Sequence, residues 1–140
     1  MTFQVYNEAG HTPRQVAVLL KKDKILITGD GANQFTFLFD NNALGLTSYK
    51  QSMQKLLANT DGKFNCIFVS HGSGELSKDT IKNIIALCDE IKNSKSNNIP
   101  FDFMGHKAYI AKKINQQYQR IDGIDGIDRN IVFSKEKISK

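Results

Sequence analysis

The chain has 140 residues (15.7 kDa), a formal charge of +5 and a pI near 9.2, so it fits one domain, residues 1–140, with no room for a second independent core. Hydrophobic content of 40% beside 24% charged residues is the balance of a globular protein and argues against disorder. No apolar run approaches the roughly 20 residues that span a bilayer, and residues 1–6 lack the basic and apolar regions of an export signal, so a cytoplasmic protein without a membrane partner is expected.

Taken in order, Thr2-Phe3-Gln4-Val5-Tyr6 alternates apolar and polar positions, as a half-buried strand does. Gly10-His11-Thr12-Pro13 follows, and Pro13 keeps Thr12 out of the helical region. Val16-Ala17-Val18-Leu19-Leu20 reads as a buried strand, Lys21-Lys22-Asp23-Lys24 as a polar turn, and Ile25-Leu26-Ile27-Thr28 as the hairpin partner. That partner ends in Gly29-Asp30-Gly31, where flanking glycines free the backbone and let another group approach the carboxylate. Residues 32–46 carry Phe35, Phe37, Leu38 and Phe39 without a clean period, which predicts a long loop or a strand fragment. Its aromatic rings serve either as a pocket wall or as satellite core.

A helix is predicted from Thr47, its N-cap, with Tyr49, Met53, Leu56 and Leu57 on one face. Phe64-Asn65-Cys66-Ile67-Phe68-Val69 reads as an apolar strand, and Ser70-His71-Gly72 stands just past its end. A second helix, capped by Ser77, has Ile81, Ile84, Ile85, Cys88 and Ile91 as its apolar stripe. Residues 93–100 form a polar surface loop, and residues 108–114 have weak helical character. His106, just before them, reads as a surface or loop residue. The repetition in residues 121–128 lacks a calcium-loop ligand pattern and is read as a turn region. Asn130-Ile131-Val132-Phe133 is a last short strand, followed by a polar tail.

The positive charge raises the possibility of nucleic acid, which would require lysines and arginines clustered on one face with aromatic platforms. Here the lysines are spread along the chain and interleave with Asp, Asn and Gln, so a solvated surface accounts for them and a basic nucleic-acid-binding domain is the weakest alternative. Cys66 and Cys88 fall at apolar positions of a strand and a helix, as reduced structural thiols do. His11, Asp30 and His71 are metal-capable side chains at three places where a strand gives way to a loop. Imidazole, carboxylate and imidazole suit zinc or another borderline first-row metal.

The order strand, Gly-His-Thr-Pro, hairpin, Thr-Gly-Asp, helix, strand, Ser-His-Gly, helix resembles the C-terminal half of a metallo-β-lactamase-fold hydrolase, over about residues 3–91. The resemblance implies an α/β fold, half of an αββα sandwich with a mixed sheet flanked by helices. It also implies His11, Asp30 and His71 as ligands to two zinc ions in the family, with Asp30 the catalytic carboxylate that holds metal and orients the attacking hydroxide. The family's His-x-His-x-Asp-His motif lies upstream of the segment where this chain begins, so the resemblance implies at most one partial zinc site here. The expected function is therefore the C-terminal half of a zinc-dependent hydrolase of a small-molecule ester, thioester, amide or phosphoester, inactive or in need of a complementing N-terminal half when isolated. A half sandwich would also bare an apolar sheet face, which predicts a homo-oligomer or that complementing half as partner. A non-catalytic oligomerising or partner-binding module that keeps the fold remnant is the alternative from a different class.

Overall fold

In a computed structural model, which describes residues 2–39, 41–70, 74–122 and 129–139, the chain runs β1 (Phe3–Asn7), β2 (Val16–Leu20), β3 (Ile25–Gly29), β4 (Phe35–Leu38), α1 (Leu46–Thr60), β5 (Cys66–Val69), β6 (Glu75–Ser77), α2 (Thr80–Lys92), β7 (Ile99–Phe103), β8 (His106–Ile110) and β9 (Asn130–Phe133). The predicted hairpin is present, with Leu20 opposite Ile25 and Val18 opposite Ile27. The first sheet has the order β1-β2-β3-β5-β6, and its β3–β5 pairing is parallel. Because side chains alternate along a strand, one face carries Ala17, Leu19, Leu26 and Ile67, all buried in the main core. The opposite face carries Phe3, Val5, Val16, Ile27 and Phe68, all exposed.

Both helices supply the other side of that core, through Leu46, Tyr49, Met53 and Leu56 of α1 and Ile81, Ile84, Leu87, Cys88 and Ile91 of α2. Each fully buried leucine or isoleucine is worth about 1.5–3 kcal/mol of hydrophobic stabilisation. The helix starts differ from those the sequence suggested. Gly45, in extended conformation, caps α1, so that buried Leu46 is its first residue and Thr47 lies inside the first turn, where its hydroxyl accepts from Lys92. Ser77 belongs to β6, because Leu76 is buried and pairs with Ile67, and Asp79 takes the cap position of α2. Cys66 and Cys88 are both free thiols, and burial pushes that of Cys88 up to about 12.

The second sheet, β4-β9-β8-β7, overturns the expectation of helical character in residues 108–114. Met104 and Gly105 both have positive φ (50° and 83°) between Phe103 and His106, the two-residue turn that matches the twist of a hairpin. Strand alternation then puts Phe101, Ala108 and Ile110 on one face, with Phe35, Phe37 and Val132 beside them. The other face, through Leu38, Ile131 and Phe133, joins the main core. The predicted polar tail is anchored instead: buried Lys137 donates from Nζ to the Ala43 carbonyl at 2.7 Å. Residues 123–128 of the predicted turn region lie outside the described residues. Among the described residues no helix is long and apolar enough to cross a membrane.

Candidate metal centre and cavity

The loop after β1 is pinned by its own backbone, Glu8 N–H to Gln15 C=O at 2.8 Å and Gly10 N–H to Thr12 C=O at 3.0 Å. Leu44 N–H then donates to the Gly10 carbonyl at 2.8 Å, tying the loop to the approach to α1. His11 leaves this loop half-buried, its Nδ1 2.9 Å from the Phe37 carbonyl oxygen. A carbonyl can only accept, so Nδ1 carries the hydrogen and Nε2 of the neutral ring keeps a lone pair. That is the tautomer and the kind of outer support that a metal-binding imidazole uses.

Asp30 stands where β3 ends. Gly29, at φ 57°, adopts the left-handed conformation that glycine tolerates, and the pairing of β3 with β5 slips between Ile27 and Gly29. The turn beyond is held by Thr28 Oγ1 donating to Ala32 C=O (2.7 Å) and Tyr49 Oη donating to Gly31 C=O (2.7 Å). Gln15, with its side-chain oxygen turned inward, accepts from the backbone N–H groups of Gly31 (2.9 Å) and Asp30 (3.2 Å). These bonds fix the backbone on which the Asp30 carboxylate is mounted.

Glu8 is the residue that sequence reasoning missed. It is fully buried, and neither carboxylate oxygen has a hydrogen-bond partner among the described residues. A β-carbon on Gly31 would stand 2.5 Å from Glu8 Cδ, so this glycine is needed for close approach. Desolvation, and then the charge of Asp30, hold the Glu8 carboxyl well above the usual carboxylate range. Nothing in Asn7-Glu8-Ala9-Gly10 marks the glutamate as buried, because a carboxylate at a strand end is ordinarily solvated.

His11 and Asp30, with Asn33, line a cavity of about 560 Å³. Phe35, Phe37, Phe101, Ile110 and Val132 of the second sheet form its apolar wall, so the aromatic segment is both pocket wall and satellite core. His71 lies outside the described residues. Among the described residues no group of three or more His, Cys, Asp or Glu gathers as a metal cluster. The available donors, an imidazole nitrogen and a carboxylate on one cavity, are of a type that fits zinc. His106 is exposed, its ring 5.6 Å from that of Phe39, and it does not line the cavity.

No protein-family model and no curated protein sequence matches the chain. Solved structures do. The metallo-β-lactamase VMB-1 is similar at TM-score 0.54 and 24% identity, over 64% of this chain and 42% of its own length. The DIM-1 metallo-β-lactamase follows at TM-score 0.52 and 22% identity, over 64% and 42%. A double mutant of the sec-alkyl sulfatase PisA1 gives TM-score 0.52 and 14% identity, over 66% of this chain and 16% of that one. The chain thus spans less than half the length of these neighbours and has part of the metallo-β-lactamase fold, a mixed α/β arrangement of two mixed sheets and two helices.

Proposed function

We propose that a chain with this partial metallo-β-lactamase fold supplies one half of a zinc-dependent hydrolase site, with His11, Asp30 and His71 as ligands. The observation that carries this reading is the Nδ1 hydrogen bond from His11 to the Phe37 carbonyl, which leaves Nε2 free to donate its lone pair on the cavity that Asp30 also lines. Zinc, when bound, supplies Lewis acidity toward a carbonyl or phosphoryl oxygen and acidifies a water molecule. The Phe37 carbonyl fixes the imidazole tautomer. Asp30, on a turn tied down by Thr28, Tyr49 and Gln15, would hold the metal and orient a water molecule toward the substrate. The cavity takes a small-molecule substrate with a hydrolysable ester, thioester, amide or phosphoester bond.

Three ligands leave positions around a metal open, and the bare face of the first sheet supports a partner that brings more. In register, Phe3 lies opposite Leu20, Leu20 opposite Ile25 and Ile25 opposite Cys66; the next row runs Val5, Val18, Ile27, Phe68. This apolar surface fits the inner face of a complementing sheet, whether continuous with this chain or separate. Metal analysis tests the site: zinc retained near one per chain and lost from His11→Ala and Asp30→Ala supports it, and retention unchanged in both variants refutes it. With the complementing half supplied, hydrolysis unaffected by Asp30→Asn contradicts the role given to Asp30. The bare face equally favours a second reading, a non-catalytic self-associating module. Sedimentation of the metal-free chain as a dimer, with no zinc retained, would favour that one.

A further inference from the structure

We infer that the cavity selects an uncharged carbonyl substrate, an ester, thioester or lactone with an aryl or branched acyl group, over an anionic one. This rests on the hydrolase reading and narrows its substrate class. At about 560 Å³ the cavity falls within the roughly 300–1,000 Å³ of small-molecule sites. Its apolar wall begins at the imidazole itself: the Phe37 ring is 6.5 Å from that of His11, edge to face, and 5.7 Å from that of Phe103. A group that reacts beside His11 therefore places its neighbouring atoms against Phe37 and then on Phe101, Ile110 and Val132.

Charge makes the selection. The chain has 19 lysines and arginines, yet none of them lines the cavity among the described residues. The ionisable side chains that do line it, among the described residues, are His11, Asp30 and Tyr118, of which His11 and Asp30 are the ones assigned to the metal. A carboxylate or phosphate on the far part of a substrate would meet apolar rings, with no lysine or arginine in the lining to offset its desolvation. Neutral amides at Gln34 and Gln117 suit an uncharged polar group instead.

The test uses the metal-free chain, so that it does not depend on zinc. Methyl 3-phenylpropanoate, 3-phenylpropanoate and phenyl phosphate are titrated by calorimetry or ligand-observed NMR. The neutral ester should bind about tenfold or more tightly than either anion. Phe101→Ala should weaken the ester with the helical circular dichroism unchanged. Gln117→Lys, at an exposed position, should narrow or reverse the preference by adding a cation, and it keeps the inference testable should Phe101→Ala fail to fold. Equal or tighter anion binding overturns the inference, as does a preference that Gln117→Lys leaves untouched. Zinc retention with an anion preference sinks the substrate class alone, whereas ester selectivity without zinc retention sinks the hydrolase reading alone.

Discussion

The two sheets finish their apolar surfaces in opposite ways. The first is covered on one face by two helices and bare on the other, where Phe3 is 58% and Val5 52% exposed. The second joins the core through Leu38, Ile131 and Phe133, and its other face curves into a cavity beside His11 and Asp30. An extended bare face calls for a partner as broad as a sheet, whereas a concave aromatic wall calls for a small molecule. On the proposed reading, the first sheet is where a partner would complete the fold and the second is where the substrate would be chosen.

The sharpest test of the first sheet uses two neighbours in β3. Leu26 is fully buried against the helices and Ile27 points the other way, 37% exposed. Leu26→Ala should cost about 2–5 kcal/mol of stability, and Ile27→Ala about 1 kcal/mol or less in the isolated chain. Equal losses in urea denaturation would mean that the bare face is already covered, by a second copy or otherwise. A smaller effect is expected beneath the site. Gly31→Ala drives a methyl group to within 2.5 Å of the Glu8 carboxyl, an overpacking of about 1–3 kcal/mol. Glu8→Ala in the same chain should return most of that loss, and no recovery would mean that the glycine is needed for another reason.

The legible parts of the chain were those where period and position agree. The apolar runs of residues 16–20 and 25–28 around a polar turn, and the stripe Ile81, Ile84, Cys88, Ile91, lead directly to the hairpin and to α2. The hairpin of β7 and β8 was not legible: its turn residue Met104 takes a positive φ against ordinary preference, and only Gly105 hinted at it. Strand β9 stood out, but nothing local revealed that it pairs parallel with β4 across almost a hundred residues. At the site, their place where a strand gives way to a loop, together with the family resemblance, picked out His11 and Asp30, which line one cavity. Glu8, the cavity's far wall and the hydrogen bond from His11 to Phe37 depend on tertiary placement, which composition cannot report.

The remaining effects concern charge, and they separate the two loops by sign, the smaller being that of Asp122. Burial and Asp30 raise the Glu8 carboxyl, so the folded chain holds its proton more tightly than the unfolded one does. That stability is complete below the ordinary range and is lost as pH rises from about 4.5 through the raised value. In the second region, hydrogen bonds from Arg120 Nε and Nη2, both at 2.9 Å, outweigh desolvation and lower Asp122, with the charges of Arg120 and Lys112 adding. The sign reverses: this contribution is present above about pH 4 and is lost as the pH falls through the lowered value. Asp122 is half exposed, so solvent screening limits the pair to about 0.5 kcal/mol. Urea midpoints of the metal-free chain should fall toward alkaline pH in the wild type, less so in Glu8→Gln. Asp122→Asn should differ from wild type by that small amount near neutrality and converge with it in acid. A Glu8→Gln chain with the wild-type slope would mean that the buried carboxyl has a partner that offsets its desolvation, and would remove the electrostatic difference between the loop after β1 and the connection from β8 to β9.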